Sequence, residues 1–240
     1  MDTVSSKPKY SIIIGYYNHR KYLDNLVESL AGQSIQDFEV IFCDDGSNDG
    51  SKEYFQTADF PFKWQYKRQK NRGMRLSKNI NQGIKVAQGD YCVFIMGDSF
   101  PELNFLEKLD EYVHPDFLVC GVRHHIDNGK AVDIDWRLKK GRIPQYPMVV
   151  MQEPYNVFTG NGLIVPTEAL RKYGGWCEKI KGYGGDDTEL MARLYYKGYL
   201  FWSIPDLIVY HHWHKATANN PKNEPLINKI ISQYAKIPTN

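Results

Sequence analysis

Phe38–Ser47 reads FEVIFCDDGS, an apolar run that ends in two adjacent carboxylates, a glycine and a serine. A short apolar run bounded by turn residues predicts a strand buried on both faces, the kind found in parallel sheets covered by helices. Upstream, Tyr10–Gly15 (YSIIIG) repeats the pattern, and between the two runs Tyr22, Leu26, Val27 and Leu30 recur at helical spacing. Strand, helix and strand make a βαβ unit, and sheets built from such units bind ligands at the carboxyl ends of their strands. Downstream, Ser51–Phe55 begins another helical stretch, Trp64–Tyr66 reads as a short third strand and Leu76–Ala87 as a helix. Tyr91–Met96 (YCVFIM) is wholly apolar and predicts a central fourth strand.

Beyond Asp98 the alternation weakens. Phe105–Tyr112 reads as a helix, Phe117–Val122 as a strand, and residues 127–152 as irregular chain where specificity loops would lie. Thr159-Gly160-Asn161-Gly162 is a glycine-rich turn between apolar residues, followed by a helix with Pro166 in its first turn. Phe201–Tyr210 supplies a last strand limited by Pro205, and His211-His212-Trp213-His214 comes directly after it. The expected organisation is a flexible start (1–9), a first half of alternating strands and helices (10–99), a more irregular second half (100–218) and a tail (219–240) carrying a short helix over Leu226–Tyr234.

Composition narrows the partners. Thirty Lys and Arg stand against 28 acids in 240 residues, a net charge of +2, too balanced for a nucleic-acid polyanion as the main partner. Seventeen tyrosines and five tryptophans are compatible with stacking on sugars or bases, although aromatic side chains also fill cores. Cys43, Cys92, Cys120 and Cys177 lack zinc-like spacing and read as reduced thiols. The start is polar and no run approaches the roughly 18 apolar residues of a bilayer span. These features together lead us to expect a cytoplasmic protein, with membrane contact at most peripheral through a basic segment such as Lys139-Lys140-Gly141-Arg142.

Three places carry chemistry. Gly182–Leu190 (GYGGDDTEL) delivers Asp186 and Asp187 to the start of a helix, whose dipole favours ionised carboxylate, the form a general base requires. A capping box of Asp186 and Glu189 accounts for the first acid and leaves Asp187 over. Asp44 and Asp45 enter a glycine-containing turn where carboxylates can grip a base or ribose, although turn chemistry selects the same residues. The fourth strand ends at Gly97-Asp98-Ser99, so Asp98 arrives at the same sheet edge. A carboxylate beside a diphosphate suits Mg²⁺ or Mn²⁺. A histidine among His211, His212 and His214 can complete the metal shell, or the three can form an exposed stacking surface with Trp213.

The order of Tyr17-Asn18, Asp44-Asp45-Gly46-Ser47, Asn71-Arg72-Gly73 before Asn79, Asp98 and Gly185-Asp186-Asp187 resembles a family 2-like glycosyltransferase of the GT-A fold. Thr159-Gly160-Asn161 through Gly174-Gly175-Trp176 to Asp186-Asp187 and His211 is similar to the C-terminal region of galactosyltransferase-type and chondroitin-polymerase-type enzymes. The resemblance covers roughly residues 10–215. It implies a single α/β domain whose mostly parallel central sheet, with a Rossmann-like nucleotide-binding half, is flanked by helices. It also implies inverting sugar transfer from a nucleotide-sugar, with UDP-sugars the first expectation, to a glycan hydroxyl, assisted by Mn²⁺ or Mg²⁺. By the same resemblance Tyr17, Asp44, Asp45, Arg72 and Asp98 bind the nucleotide, and Asp98 and His211, rather than His212 or His214, hold the metal. Asp187 is then the base, Asp186 binds the acceptor, and Thr159, Gly160, Asn161 and Trp176 border it. Two departures stand out: the family's D-x-D is Met96-Gly97-Asp98, without its first carboxylate, and Gly15-Tyr16 replaces the proline and threonine usual after the first strand. Two readings compete. One is a nucleotide-sugar or glycan binder that has lost catalysis. The other is a nucleotidyltransferase, which calls for a glycine-rich, lysine-containing loop that Tyr16-Tyr17-Asn18-His19 does not provide.

Overall fold

The structure, a computed structural model, describes residues 7–215 and 218–236. Its first half runs β1 (Tyr10–Tyr16), α1 (Arg20–Ala31), β2 (Phe38–Asp44), α2 (Ser51–Thr57), β3 (Lys63–Arg68), α3 (Leu76–Val86) and β4 (Tyr91–Met96). The second half runs β5 (Ser99–Pro101), α4 (Phe105–Asp110), β6 (Phe117–Asp127), β7 (Lys130–Asp133), α5 (Trp136–Lys139) and β8 (Met148–Val149). It continues with β9 (Leu163–Pro166), α6 (Thr167–Tyr173), α7 (Asp186–Tyr195), β10 (Leu200–His212) and α8 (Asn223–Tyr234). All ten strands join one sheet of order β3-β2-β1-β4-β9-β6-β10-β5, with β7 paired to β6 and β8 to β10. Four of the seven pairings along that path are parallel, and the antiparallel ones all involve β9 or β5.

The apolar runs read as strands because alternate residues serve opposite layers. Ile12 and Ile14 of β1 join Val40 and Phe42 of β2 and Leu23, Leu26 and Leu30 of α1 on one face. Ile13, Ile41 and Phe94 meet Ile80 and Ile84 of α3 on the other. Each fully buried aliphatic side chain contributes about 1.5–3 kcal/mol, so both faces are needed to hold the sheet. Parallel register aligns the strand ends: Tyr16 lies opposite Asp44, and Gly15 opposite both Cys43 and Met96. Tyr17, Asp45 and Asp98 therefore leave the sheet along one edge.

Several details differ from the reading of the sequence. Of the start expected to be flexible, residues 1–6 lie outside the described residues, whereas Lys7 pairs with Asp90 and Lys9 Nζ with Asp110 at 2.6 Å. In the segment expected to be irregular, β7, α5 and β8 form because β6 and β10 offer edges to pair with and Asp135 caps α5. Pro166 closes β9, and α6 starts one residue later. The last strand absorbs Pro205 in a register shift between Ser203 and Ile208 and continues to His212, so His211 lies inside the sheet opposite Ser99 and His125. The tail helix α8 begins at Asn223 and packs on α7 through Ile227.

A buried ion pair braces β6. The Arg137 guanidinium donates to both oxygens of Asp135, Nε to Oδ1 at 2.9 Å, and the two side chains are 1% and 2% exposed. Asp135 Oδ2 also accepts the Arg123 backbone N–H at 2.8 Å. Removing one partner strands the other charge in a dry site, so Arg137→Ala is expected to cost about 3–5 kcal/mol. Denaturant titration should show a lower midpoint at unchanged slope, and a loss below about 1 kcal/mol would contradict this account.

Candidate functional site

A cavity of about 350 Å³ opens at the strand-end edge. Tyr17, Asp45 and Asn71 line one side, Asp98, His211 and His214 another, and Arg123, Asn161 and Tyr183 come from the second half. Tyr17 is exposed, and its hydroxyl accepts from Asn71 Nδ2 at 2.8 Å. Asp45 is held by Gln69 Nε2 and by the Arg75 backbone N–H at 2.7 Å.

Asp44 is withdrawn from the cavity. It is fully buried; Oδ1 accepts from the Gly46 and Ser47 backbones and the Ser47 hydroxyl, while Oδ2 accepts from Tyr66 OH at 2.6 Å and faces Arg68 Nε at 3.2 Å. Its groups shape the turn that carries Asp45. Arg72 is exposed and not among the residues that line the cavity, because the 71–73 turn presents Asn71 and Gly73 instead.

Three donors converge on a metal-sized space: Asp98, His211 and His214 each offer a ligand atom, all within 4.8 Å of one another. His214 Nε2 is 3.1 Å and His211 Nε2 3.5 Å from Asp98 Oδ2, with His19 Nε2 at 4.0 Å. Burial would raise the Asp98 carboxyl, yet hydrogen bonds from His211 and His214 and the nearby His19 hold it well below the usual carboxylate range. Asp98 therefore stays ionised, as a metal ligand must. His211 Nδ1 lies 3.1 Å from His125 Nδ1. For Nε2 to offer its lone pair to a cation, Nδ1 must carry the proton and donate it to His125, which burial, Arg123 and His211 keep uncharged more readily than a free imidazole.

The sequence reading expected only His211 beside Asp98, and the structure places His214 there as well. Strand β10 ends at His212, and the chain then turns back over Asp98, with His212 N donating to Asp98 O at 2.9 Å. His212 points the other way, stacked on Tyr22 at 4.3 Å. His19 and His125 were not singled out in the sequence, since their pairing with Asp98 and His211 spans 79 and 86 positions. Arg123 and Tyr183 were missed too. His19 alone had a usable signal, standing two residues after Tyr17 in the same strand-end motif.

The acid pair sits on the second-half side. Gly185, at φ 88°, is the N-cap of α7, so Asp186 is the first helical residue and not the cap; a Cβ at Gly185 would also lie 2.0 Å from Ile227 Cδ1. Asp187 Oδ2 accepts from the Gly160 backbone at 2.8 Å and Oδ1 from Thr188 at 2.8 Å. Gly160 must be glycine because a Cβ there would meet the Trp176 ring at 2.5 Å. Trp176 is itself 3% exposed and packs edge-on against Phe94, so it supports the turn from beneath. Thr159 is half-buried, and Asn161 ties the turn to the metal loop by accepting from Met96 N at 3.2 Å and donating to Ser99 Oγ at 2.8 Å.

Asp186 is buried, and burial followed by the adjacent Asp187 charge pushes its carboxyl up to about 7. Tyr183 spans the two clusters: burial raises its hydroxyl, Arg123 opposes, and the carboxylates of Asp187, Asp98 and Asp186 all add to the rise. The cavity lining brings together Asp98, His211 and His214 at one end and Tyr17 and Asp45 at another, while of the turn that holds Asp187 only Asn161 lines it; Thr159, Gly160, Trp176, Asp186 and Asp187 are not among the lining residues.

Residues 11–168 match the family described as Glycosyl transferase family 2. The chain is 26% identical over 234 residues to chondroitin synthase of Escherichia coli and 25% identical over 235 residues to that of Pasteurella multocida. The match covers 84% of this chain in both cases, but only 34% and 24% of those longer proteins. Among solved structures, S. aureus TarS residues 1–349 in complex with UDP-GlcNAc aligns over 96% of this chain and 68% of that one, with TM-score 0.77 and 17% identity. The same TarS fragment in complex with UDP aligns over 96% of this chain and 67% of that one, at TM-score 0.72 and 18% identity, a likeness of fold. Sequence match, sheet order and strand-end cavity agree, and the chain belongs to glycosyl transferase family 2, built on the GT-A fold.

Proposed function

We propose that the chain transfers a sugar, with inversion, from a UDP-sugar to a hydroxyl of a glycan acceptor, with Asp187 as base and a divalent cation at Asp98, His211 and His214. The observation that carries this reading is the convergence of those three donors beside Asp45 and Tyr17 in one cavity, whose lining also includes Asn161, the neighbour of the Gly160 that holds Asp187. Two imidazoles and one carboxylate suit Mn²⁺ better than Mg²⁺, and His214 takes up the role left open by Met96 at the first position of the D-x-D motif. A bound cation would offset the charge that develops on the leaving diphosphate.

The remaining work falls to the chain's own residues. Tyr17 and Asp45 hold the nucleoside, Arg123 supplies a fixed positive charge, and Tyr183 closes the cavity between donor and acceptor sides. Asp187, oriented by the Gly160 and Thr188 N–H groups, takes the acceptor proton as the new bond forms. Asp186, Thr159, Gly160 and Asn161 shape the acceptor side. Among the described residues no helix is long and apolar enough to cross a membrane. A cytoplasmic location, with membrane contact at most peripheral, is part of the same proposal.

A ligand bound only by the native state raises the melting temperature, so UDP-sugars with Mn²⁺ are expected to stabilise the protein and the sugars alone to do so far less. At a hundredfold excess over the dissociation constant the gain is about 2.7 kcal/mol, a shift of a few degrees for a domain of this size. No shift with any nucleotide-sugar, in the presence of Mn²⁺, would remove the donor from the proposal.

A further inference from the structure

A second cavity, of about 240 Å³, is lined by Arg75, Lys78, Glu178, Ile180 and Lys181. Three cations face one carboxylate, and Glu178 is already engaged by Asn81 Nδ2 at 3.0 Å. Among the described residues none of Arg75, Lys78 and Lys181 has a carboxylate within ion-pair distance, and Arg75 Nε is buried without a partner. Helix α3 starts at this cavity with no acid in its first turn and no side-chain cap, which adds to the positive potential.

Its place relates it to the acceptor side. The Gly182 backbone donates to Met74 O at 3.3 Å, and this contact forms the wall between the two cavities. Met74 and Tyr183 line the first cavity, while Arg75, next to Met74, and Lys181, two positions before Tyr183, line the second. Asn81 anchors the far rim by accepting from Trp176 N at 2.8 Å and donating to Glu178. The Trp176 that Asn81 holds packs against Gly160, the residue whose N–H orients Asp187, so the rim of the second cavity adjoins the Asp187 turn.

We propose that the second cavity is a subsite for an anionic group, carboxylate or phosphate, carried by the acceptor glycan. The inference rests on the sugar-transfer reading above and adds the chemical class of the acceptor. Net positive charge, an unpartnered guanidinium nitrogen and two ammonium groups recognise an oxyanion, whereas a neutral sugar would leave all three cations without a counter-charge.

The test compares the wild type with Lys78→Gln/Lys181→Gln by calorimetric titration, with UDP and Mn²⁺ present. The probes are a uronate-containing hexasaccharide, a glycerol-phosphate oligomer and neutral chitohexaose. At least one anionic probe should bind about tenfold more tightly than the neutral one, the range expected for charge-assisted hydrogen bonds. That preference should vanish in the double variant and shrink with added salt, while UDP affinity stays the same. The responding probe tells carboxylate from phosphate. Equal binding of anionic and neutral probes, or a preference that survives in the variant, overturns the inference. Binding to phosphatidylglycerol vesicles but to neither anionic oligomer also overturns it and makes the face a lipid contact. A wild type that fails to bind UDP with Mn²⁺ sinks the sugar-transfer reading instead, so the two failures are distinguishable.

Discussion

Asp187→Asn is expected to lower transfer by about a hundredfold or more, the range for loss of a positioned general base. Asparagine keeps the size of the side chain and one oxygen to accept from Gly160 or Thr188, but it cannot take the acceptor proton. Donor binding should survive, because Tyr17, Asp45 and Asp98, proposed here to bind UDP, line the cavity and Asp187 is not among its lining residues. Asp186→Asn should behave differently. Its carboxyl is raised in the fold, so its favourable contribution is complete below the ordinary carboxylate pKa of about 3.9 and is lost as pH rises through about 7. Above that pH the ionised pair is a penalty, and Asp186→Asn should melt at a higher temperature than wild type while its loss of activity appears chiefly in acceptor KM. Steady-state kinetics with melting curves near pH 8 separate the two, and wild-type turnover in Asp187→Asn would place the base elsewhere.

Asp98→Ala is the second large effect. Asp98 is the only carboxylate of the cation cluster, so its removal leaves two or three imidazoles with no fixed negative charge to hold a divalent ion. Calorimetric titration of UDP with Mn²⁺ should show affinity reduced by about a hundredfold, at or above the upper range for disturbing a metal shell. His211→Ala and His214→Ala should fall in the same direction, because both rings reach Asp98 Oδ2. His212→Ala should not, since its ring is spent on stacking with Tyr22. Unchanged affinity in Asp98→Ala would remove it from the cation site, and a loss in His212→Ala with none in His214→Ala would mean that the turn after β10 is arranged differently.

On the same proposal, the rings and the carboxylate account for how a motif short of one acid would still serve. Met96 lines the cavity where the family places its first aspartate, and an apolar side chain there gives the nucleotide a surface but the cation nothing. In the reading proposed here, His214, from a segment more than a hundred residues away, fills that deficit. A search confined to the D-x-D window would read the site as impaired.

By itself the sequence determined the βαβ half, because each buried strand must be apolar on both faces and end in turn residues, and those constraints are local. YSIIIG, FEVIFC and YCVFIM therefore declared both the sheet and the edge where Tyr17, Asp45 and Asp98 emerge. The glycines before Asp186 and Asp187 were legible for the same reason, since the left-handed conformation of Gly185 is a property of one residue. Only the tertiary structure decided which of those acids face the cavity. Asp44 and Asp45 are adjacent and chemically identical, but strand alternation and the Tyr66 and Arg68 side chains of the next strand consume the first and spare the second. It also decided the histidines: His19 meets Asp98 because β1 lies beside β4, and whether His125 or His214 meets Asp98 and His211 depends on β10 lying between β6 and β5, pairings set by long-range burial that no local spacing records.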